Sequence, residues 1–171
     1  QLKGVNVKLF NGKKKIIKKE NIVGEICVKT PALFSGYIDK KIKHKKNMFI
    51  NSFFRTGDLA LIKNGNLKFV DRSKDIIIKG GVNISPQEID ECLQKNKDVL
   101  ESATIGVADR FFGENIKSFV VLRKNKNLSS KKLYIFCKKN LGEFRSPTNI
   151  VFVNNLPKTP SGKVIKRMLK N

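Results

Sequence analysis

Two patterns place this chain in the α+β class. Strands of alternating hydrophobicity dominate the sequence up to Val70, and beyond Asp71 two capped, apolar-faced helices alternate with three further strands. At the start, Val5, Val7 and Leu9 alternate with polar neighbours, and Asn11-Gly12 behind them predicts a hairpin turn. Ile26 and Val28 resume the alternation after Gly24. The polar, Lys-rich stretch from Asp39 to Asn47 has the composition of an exposed loop. The clearest hairpin runs from Leu59 to Val70, where Asn64-Gly65 supplies the two residues that tolerate the positive φ of a type I′ turn.

The second half opens on a helix signal, Ser85-Pro86-Gln87-Glu88. Ser85 can cap, Pro86 suits the first turn and Glu88 completes a capping box. Ile89, Cys92 and Leu93 then recur at helical spacing. Ala103 to Val107 and Ser118 to Leu122 are apolar enough for strands. Ser129 or Ser130 opens a second helix with Leu133, Phe136, Cys137 and Leu141 on one face, and Ile150 to Val153 forms a third strand. The change of character places a domain boundary near Asp71 to Lys74.

Composition narrows the class of function. The chain has 171 residues, 40% hydrophobic and 29% charged, which suits a folded domain or two small ones. No apolar run approaches the ~20 residues needed to cross a bilayer. Gln1 is not an initiator Met and no signal peptide follows, so the natural chain is expected to begin upstream. Cys27, Cys92 and Cys137 are widely spaced and His44 is the one histidine, which argues against zinc and disulfides and for a reducing cytoplasm. Cys92 and Cys137 fall on buried helix faces, as small apolar fillers do. The net charge of +22 raises nucleic acid as a partner. Yet the lysines are spread from Lys3 to Lys170, and the dense clusters Lys13-Lys14-Lys15, Lys18-Lys19 and Lys40 to Lys46 hold few aromatics to stack on bases. No nucleic-acid partner is expected.

Three segments carry chemistry: Phe54-Arg55-Thr56-Gly57-Asp58, then Asp71-Arg72-Ser73-Lys74-Asp75 running on to Gly80-Gly81-Val82-Asn83, and Leu156-Pro157-Lys158-Thr159-Pro160-Ser161-Gly162-Lys163. Each alone has a plain structural explanation as a turn, a linker or a tail. In this order and spacing, joined by Gly106-Val107-Ala108-Asp109, Gly113-Glu114 and Val120-Val121, they resemble the adenylate-forming superfamily of acyl-CoA synthetases, peptide-synthetase adenylation domains and luciferases. The Asp-Arg-Ser-Lys-Asp wording and the Ser-Gly-Lys ending are more similar to the acyl-CoA synthetases. Phe54 stands where that family often carries Tyr.

The resemblance implies a small β-barrel-like subdomain over residues 1–73, closing a large AMP-binding domain, and a mobile C-terminal α+β domain over residues 74–171 with a small sheet flanked by helices. It implies ATP and CoA as co-substrates, a small carboxylic acid as the group activated, Mg2+ accompanying ATP without a ligand from this chain, and a missing N-terminal domain as partner. Asp58 matches the acid that binds both ribose hydroxyls, since a carboxylate has two acceptor oxygens for two vicinal donors. Arg72 matches a second nucleotide contact through its fixed fork; a surface ion pair is its plain alternative. Lys163 matches the catalytic and ATP-binding lysine of adenylation, where an ammonium offsets the repulsion of carboxylate and phosphate. Ser161-Gly162 before it suggests a flexible turn. Lys74 matches the hinge. Gly80, Gly81 and Asn83 match a loop lining the CoA channel, with a tight turn before Ser85 as the alternative. A fragment of this kind is expected to be inactive alone. Loading of a carrier protein, or a non-catalytic binding module, are the other functions this pattern admits.

Overall fold

A computed structural model of the chain describes residues 3–34 and 48–170. The loop expected from Asp39 to Asn47, with its lysine cluster, lies outside the described residues. The fold is α+β, with two sheets, and the chain divides into two compact units, Gln1–Lys74 and Asp75–Asn171.

Among the described residues the first unit is a six-stranded antiparallel sheet built from β1 (Asn6–Phe10), β2 (Ile16–Ile17), β3 (Gly24–Lys29), β4 (Phe49–Ile50), β5 (Phe53–Lys63) and β6 (Asn66–Arg72). Its order is β2-β1-β3-β5, with β4 and β6 both paired to β5. The β5–β6 hairpin turns as expected on Asn64 (φ 51°) and Gly65 (φ 73°), with Lys63 opposite Asn66. The first hairpin departs from expectation. Asn11-Gly12 does not form a two-residue turn; the loop spans 11–15, the positive φ falls on Lys14 (58°), and Asn11 works through its side chain. Its Oδ1 accepts the amides of Lys13 (3.0 Å) and Lys15 (2.9 Å), an alternative to backbone pairing that Asn offers readily. Both sheet faces bury side chains. Phe10, Cys27, Ile50 and Phe53 cluster on one, and Leu9, Ile17 and Ala60 with half-buried Ile26 and Ile62 on the other. Cys27 thus points away from Ile26 and Val28, as strand geometry requires.

In the second unit β7 (Ile77–Lys79) and β8 (Val82–Ile84) form a hairpin ahead of α1 (Pro86–Gln94). Then follow β9 (Val99–Asp109), β10 (Gly113–Leu122), α2 (Ser130–Leu141) and β11 (Asn149–Phe152). The sheet has five strands rather than the three expected: β7, in the apolar run Ile76 to Ile78, and β8 are each too short to show a period of their own. β10 is central, antiparallel to β9 and β7 and parallel to β11. Ser85 caps α1, its Oγ accepting the Glu88 amide at 3.4 Å, and Ser129 caps α2 through the Lys132 amide at 3.3 Å. Arg145 ties the loop after α2 back to α1 by donating to Glu88 at 3.2 Å.

The helices cover one sheet face, burying Ile89, Cys92, Leu93, Leu133 and Cys137 against Ile77, Ile116 and Val120. Full burial of each large aliphatic side chain contributes about 1.5–3 kcal/mol. The other face, with Ala103, Ile105 and Val121, is covered by the C-terminal segment through Leu156, Val164 and Leu169. Burial pushes the thiols up, to about 11 for Cys27 and about 12 for Cys137, with Cys92 also raised, which fits inert fillers. Among the described residues no helix is long and apolar enough to cross a membrane.

Candidate functional site

Asp58 stands where β5 breaks register on both of its edges. Against β3, Cys27 pairs with Arg55 but Glu25 with Leu59, so β5 carries extra residues over Thr56-Gly57-Asp58. Against β6, Leu59 pairs with Asp71 but Ala60 with Phe69, placing an extra residue at Val70. Bulges of this kind bend a strand and re-aim side chains. Gly57 adopts φ 76°, and an added Cβ would meet only Ser73 Oγ at 3.9 Å, so the backbone angle rather than space demands glycine. The bulge is held from within. Thr56 Oγ1 donates to the Ile26 carbonyl at 2.8 Å and accepts the Asp58 amide at 3.1 Å.

Glu25 completes the brace. Its Oε2 accepts Arg55 Nε at 2.8 Å and pairs with Nη2 at 2.7 Å, while Oε1 accepts the Gly57 amide at 3.2 Å. The Glu25 hydrogen bond raises the pKa of Arg55 and outweighs its desolvation. Sequence reasoning missed Glu25. The available signal was an acid on a strand whose partner strand carries an arginine.

Arg72 sits directly opposite Asp58 in the β5–β6 ladder, and its Nε donates to Asp58 Oδ1 at 3.2 Å. The side chains are 55% and 32% exposed, so the pair faces solvent. The ion pair posed as an alternative for Arg72 is therefore present, and its partner is the other candidate nucleotide residue. Arg72's amide is held by Asp71 Oδ1 at 2.8 Å, anchoring the end of β6. Lys74, exposed, is the last residue of the first unit.

Lys163 lies on a closed turn in the second unit. The Gly162 amide donates to the Thr159 carbonyl at 2.9 Å, and the Thr159 amide to the Lys163 carbonyl at 2.8 Å. Thr159 Oγ1 accepts the Lys163 amide at 3.1 Å and lies 2.9 Å from Ser161 Oγ. Pro160 follows the first turn residue and Gly162 adopts φ 82°, the sequence chemistry of a type I turn with a bulge. Ser161-Gly162 thus sits in a turn closed by hydrogen bonds. The stem is fixed too: Lys158 bridges to Val164, Ile165 donates to the Pro157 carbonyl, and Lys158 pairs with Glu101. Lys166 is drawn to Asp90 at 3.8 Å. Among the described residues Lys163 has no acidic partner, so its ammonium is held out in solvent while two neighbouring tail lysines are engaged.

Gly80 and Gly81 form the two-residue turn between β7 and β8, with φ 53° and 79° and Lys79 opposite Val82. The tight turn posed as the alternative is what forms, and it leaves Gly80, Gly81 and Asn83 exposed. Beneath it lies a second residue the sequence did not reveal. Lys79 is 4% exposed, donates Nζ to the Phe144 carbonyl at 3.1 Å, and sits 5.0 and 5.4 Å from the Phe144 and Phe112 ring centres. Desolvation lowers its pKa, partly countered by Asp109. The Gly80 amide donates to the Phe112 carbonyl at 2.8 Å, so the turn is clamped to the β9–β10 loop. Among the described residues no group of three or more His, Cys, Asp or Glu side chains could hold a metal ion.

Comparison with known proteins bears on the family and the fold. Residues 88–163 match the family described as AMP-binding enzyme C-terminal domain. The peroxisomal trans-cinnamate:CoA ligase of Petunia hybrida is 36% identical over 170 residues, covering 99% of this chain and 30% of that protein. ATP-bound MatB from Rhodopseudomonas palustris superposes with a TM-score of 0.91 at 33% identity, over 99% of this chain and 34% of its own. The o-succinylbenzoate CoA synthetase MenE of Bacillus subtilis, holding its acyl-adenylate intermediate, gives 0.87 at 29% identity, over 99% and 34%. The chain spans about three-tenths of the length of the curated relatives it matches.

Proposed function

From the match of residues 88–163 to the AMP-binding enzyme C-terminal domain family, we propose that the chain forms the C-terminal part of an ATP-dependent acid–thiol ligase. The reaction runs in two steps. A carboxylate attacks the α-phosphorus of ATP to give acyl-AMP and pyrophosphate; a CoA thiolate then attacks the acyl carbon and expels AMP. The CoA-ligase names of the relatives support CoA as the acceptor.

The observation that carries the proposal is the Asp58–Arg72 pair, set opposite one another on two adjacent strands, each of which carries a bulge beside the pair, and open to solvent. Asp58 offers acceptor oxygens to the ribose hydroxyls, and Arg72, already beside it, offers donors to ribose or phosphate oxygens. Both groups are braced before any nucleotide arrives, which reduces the ordering needed on binding. Lys163 supplies the cation for the first step: two anions must approach, and an ammonium between them stabilises the charge that develops on the bridging oxygens. A pinned turn suits that task, because the ammonium is then delivered by movement of the second unit as a body about Lys74. The Gly80-Gly81 turn, with Asn83, would line the path of the pantetheine arm in the second step, where bare backbone permits close approach. Mg2+ would enter with the triphosphate; no side chain of this chain is assigned to it.

Lys163→Ala, made in the enzyme that contains this chain, should slow ATP–pyrophosphate exchange about 10²–10³-fold and spare thioester formation from supplied acyl-adenylate. Equal loss in both half-reactions would contradict the role. The 171-residue chain alone should bind ATP weakly and release no AMP, and robust AMP release by it would refute the proposal.

A further inference from the structure

A surface outside the proposed catalytic residues combines charge and exposed aliphatic side chains at one end of the first unit. The register defines that end. Phe10 lies opposite Glu25, which lies opposite Leu59, so the 11–15 loop, the chain entering β3 at Gly24 and the tip of the β5–β6 hairpin all project from the same side of the sheet. They are tied together. The Asn21 amide donates to the Ile62 carbonyl at 2.9 Å, the Gly65 amide to Glu20 Oε1 at 3.1 Å, and Asn11 closes its own loop through two amides. The end is therefore a built surface rather than a loose tail.

Lys13, Lys14, Lys15, Lys18, Lys19 and Lys63 are exposed on it. The one acid within residues 11–23 and 63–67 is Glu20, whose carboxylate is engaged by the hairpin tip. Between the lysines stand Ile16, Ile22 and Val23, exposed by 43%, 44% and 45%, with Leu67 at 49% nearby. Aliphatic side chains ringed by lysines match a bilayer interface: the apolar tips enter the acyl boundary, the lysine stems lie along it, and the ammonium groups meet anionic headgroups. A nucleic acid would favour aromatic or arginine side chains to stack on bases, and these two stretches contain no Phe, Tyr or Arg. We infer that this end of the first unit docks the protein peripherally on anionic lipid membranes.

The chain contains no Trp, so a single introduced indole reports its own surroundings. The test uses the 171-residue chain with vesicles of phosphatidylcholine alone or with added phosphatidylserine. Cosedimentation is expected with the phosphatidylserine vesicles and not with the neutral ones. The combined variant Lys13→Ala, Lys14→Ala, Lys15→Ala should reduce partitioning about 100-fold, from roughly fivefold per lysine. Emission from Ile22→Trp should move to the blue on adding phosphatidylserine vesicles, while Leu100→Trp, at an exposed position of β9 in the second unit, should not respond. Absence of cosedimentation, partitioning that the lysine variant leaves unchanged, or an unmoved Ile22→Trp emission overturns the inference. Duplex DNA binding as tight as vesicle binding, with that emission unmoved, assigns the surface to nucleic acid instead.

Discussion

Replacing Glu25 by Ala tests whether the bulge that presents Asp58 is held by one carboxylate. Glu25 takes Arg55 Nε at 2.8 Å, Arg55 Nη2 at 2.7 Å and the Gly57 amide at 3.2 Å. Hydrogen bonds to a charged group contribute about 1.5–3 kcal/mol each. They cannot simply be summed here, because the Arg55 side chain is 37% exposed and water would replace part of what it loses. The Gly57 contact, by contrast, is the bond that its own amide makes, at a φ of 76° in a bulge that Thr56 Oγ1 and the Ser73 amide hold on either side. Loss of about 2–3 kcal/mol in local stability follows. Amide hydrogen exchange reads that loss directly: Gly57 should exchange roughly 30- to 150-fold faster in Glu25→Ala than in the parent sequence. Amides of β9 and β10, in the other unit, should be unchanged. In the full enzyme the same substitution should raise the KM for ATP more than it lowers kcat, since the nucleotide's seat is disturbed and Lys163 is not. Exchange at Gly57 within about threefold of the parent value would refute the brace.

Gly80→Ala should cost about 1–2 kcal/mol, because φ 53° is disfavoured for an L-residue while the new methyl meets Phe112 and Phe144 at ordinary contact distances of 3.4 and 3.5 Å. The melting of the second unit should fall by about 4–8 °C per kcal/mol, and Gly80→Asn should lose less, Asn tolerating that region better. Cys27, Cys92 and Cys137 are buried, with the first and last pushed up to about 11 and about 12, so an aromatic disulfide reagent at neutral pH should label none of them until the chain unfolds. Asp109 is held below its usual 3.8 by the amide of Phe112, the side chain of Asn115 and the amide of Phe111. A depressed carboxylate stabilises the fold above its unfolded pKa and loses that contribution as pH falls through the folded value. The stability difference between the parent and Asp109→Asn, followed by urea denaturation, should therefore shrink as pH drops from about 5 to about 3.

Local chemistry made much of this molecule legible. Asn64-Gly65 specified its turn because both residues tolerate positive φ, and Ser85-Pro86 started a helix because a hydroxyl acceptor and a fixed φ suffice for that. Leu133 and Cys137 were assigned to the core by helical spacing alone, and the candidate residues Asp58, Arg72 and Lys163 by three short motifs. Contacts between distant segments decided the rest. The strand at Ile77 to Lys79 has no period to betray it; it forms because β10 and the turn at Gly80 offer it hydrogen-bond partners. Glu25 is an ordinary strand acid until thirty residues of chain return Arg55 to its side. Lys79 is one lysine among many until Phe112 and Phe144 close over it and the Phe144 carbonyl accepts its hydrogen bond. Turns and caps are settled within a few residues, so their signals are written locally. Burial of a charge, a strand's partner and a bulge's brace depend on which segments meet, and only folding brings those segments together.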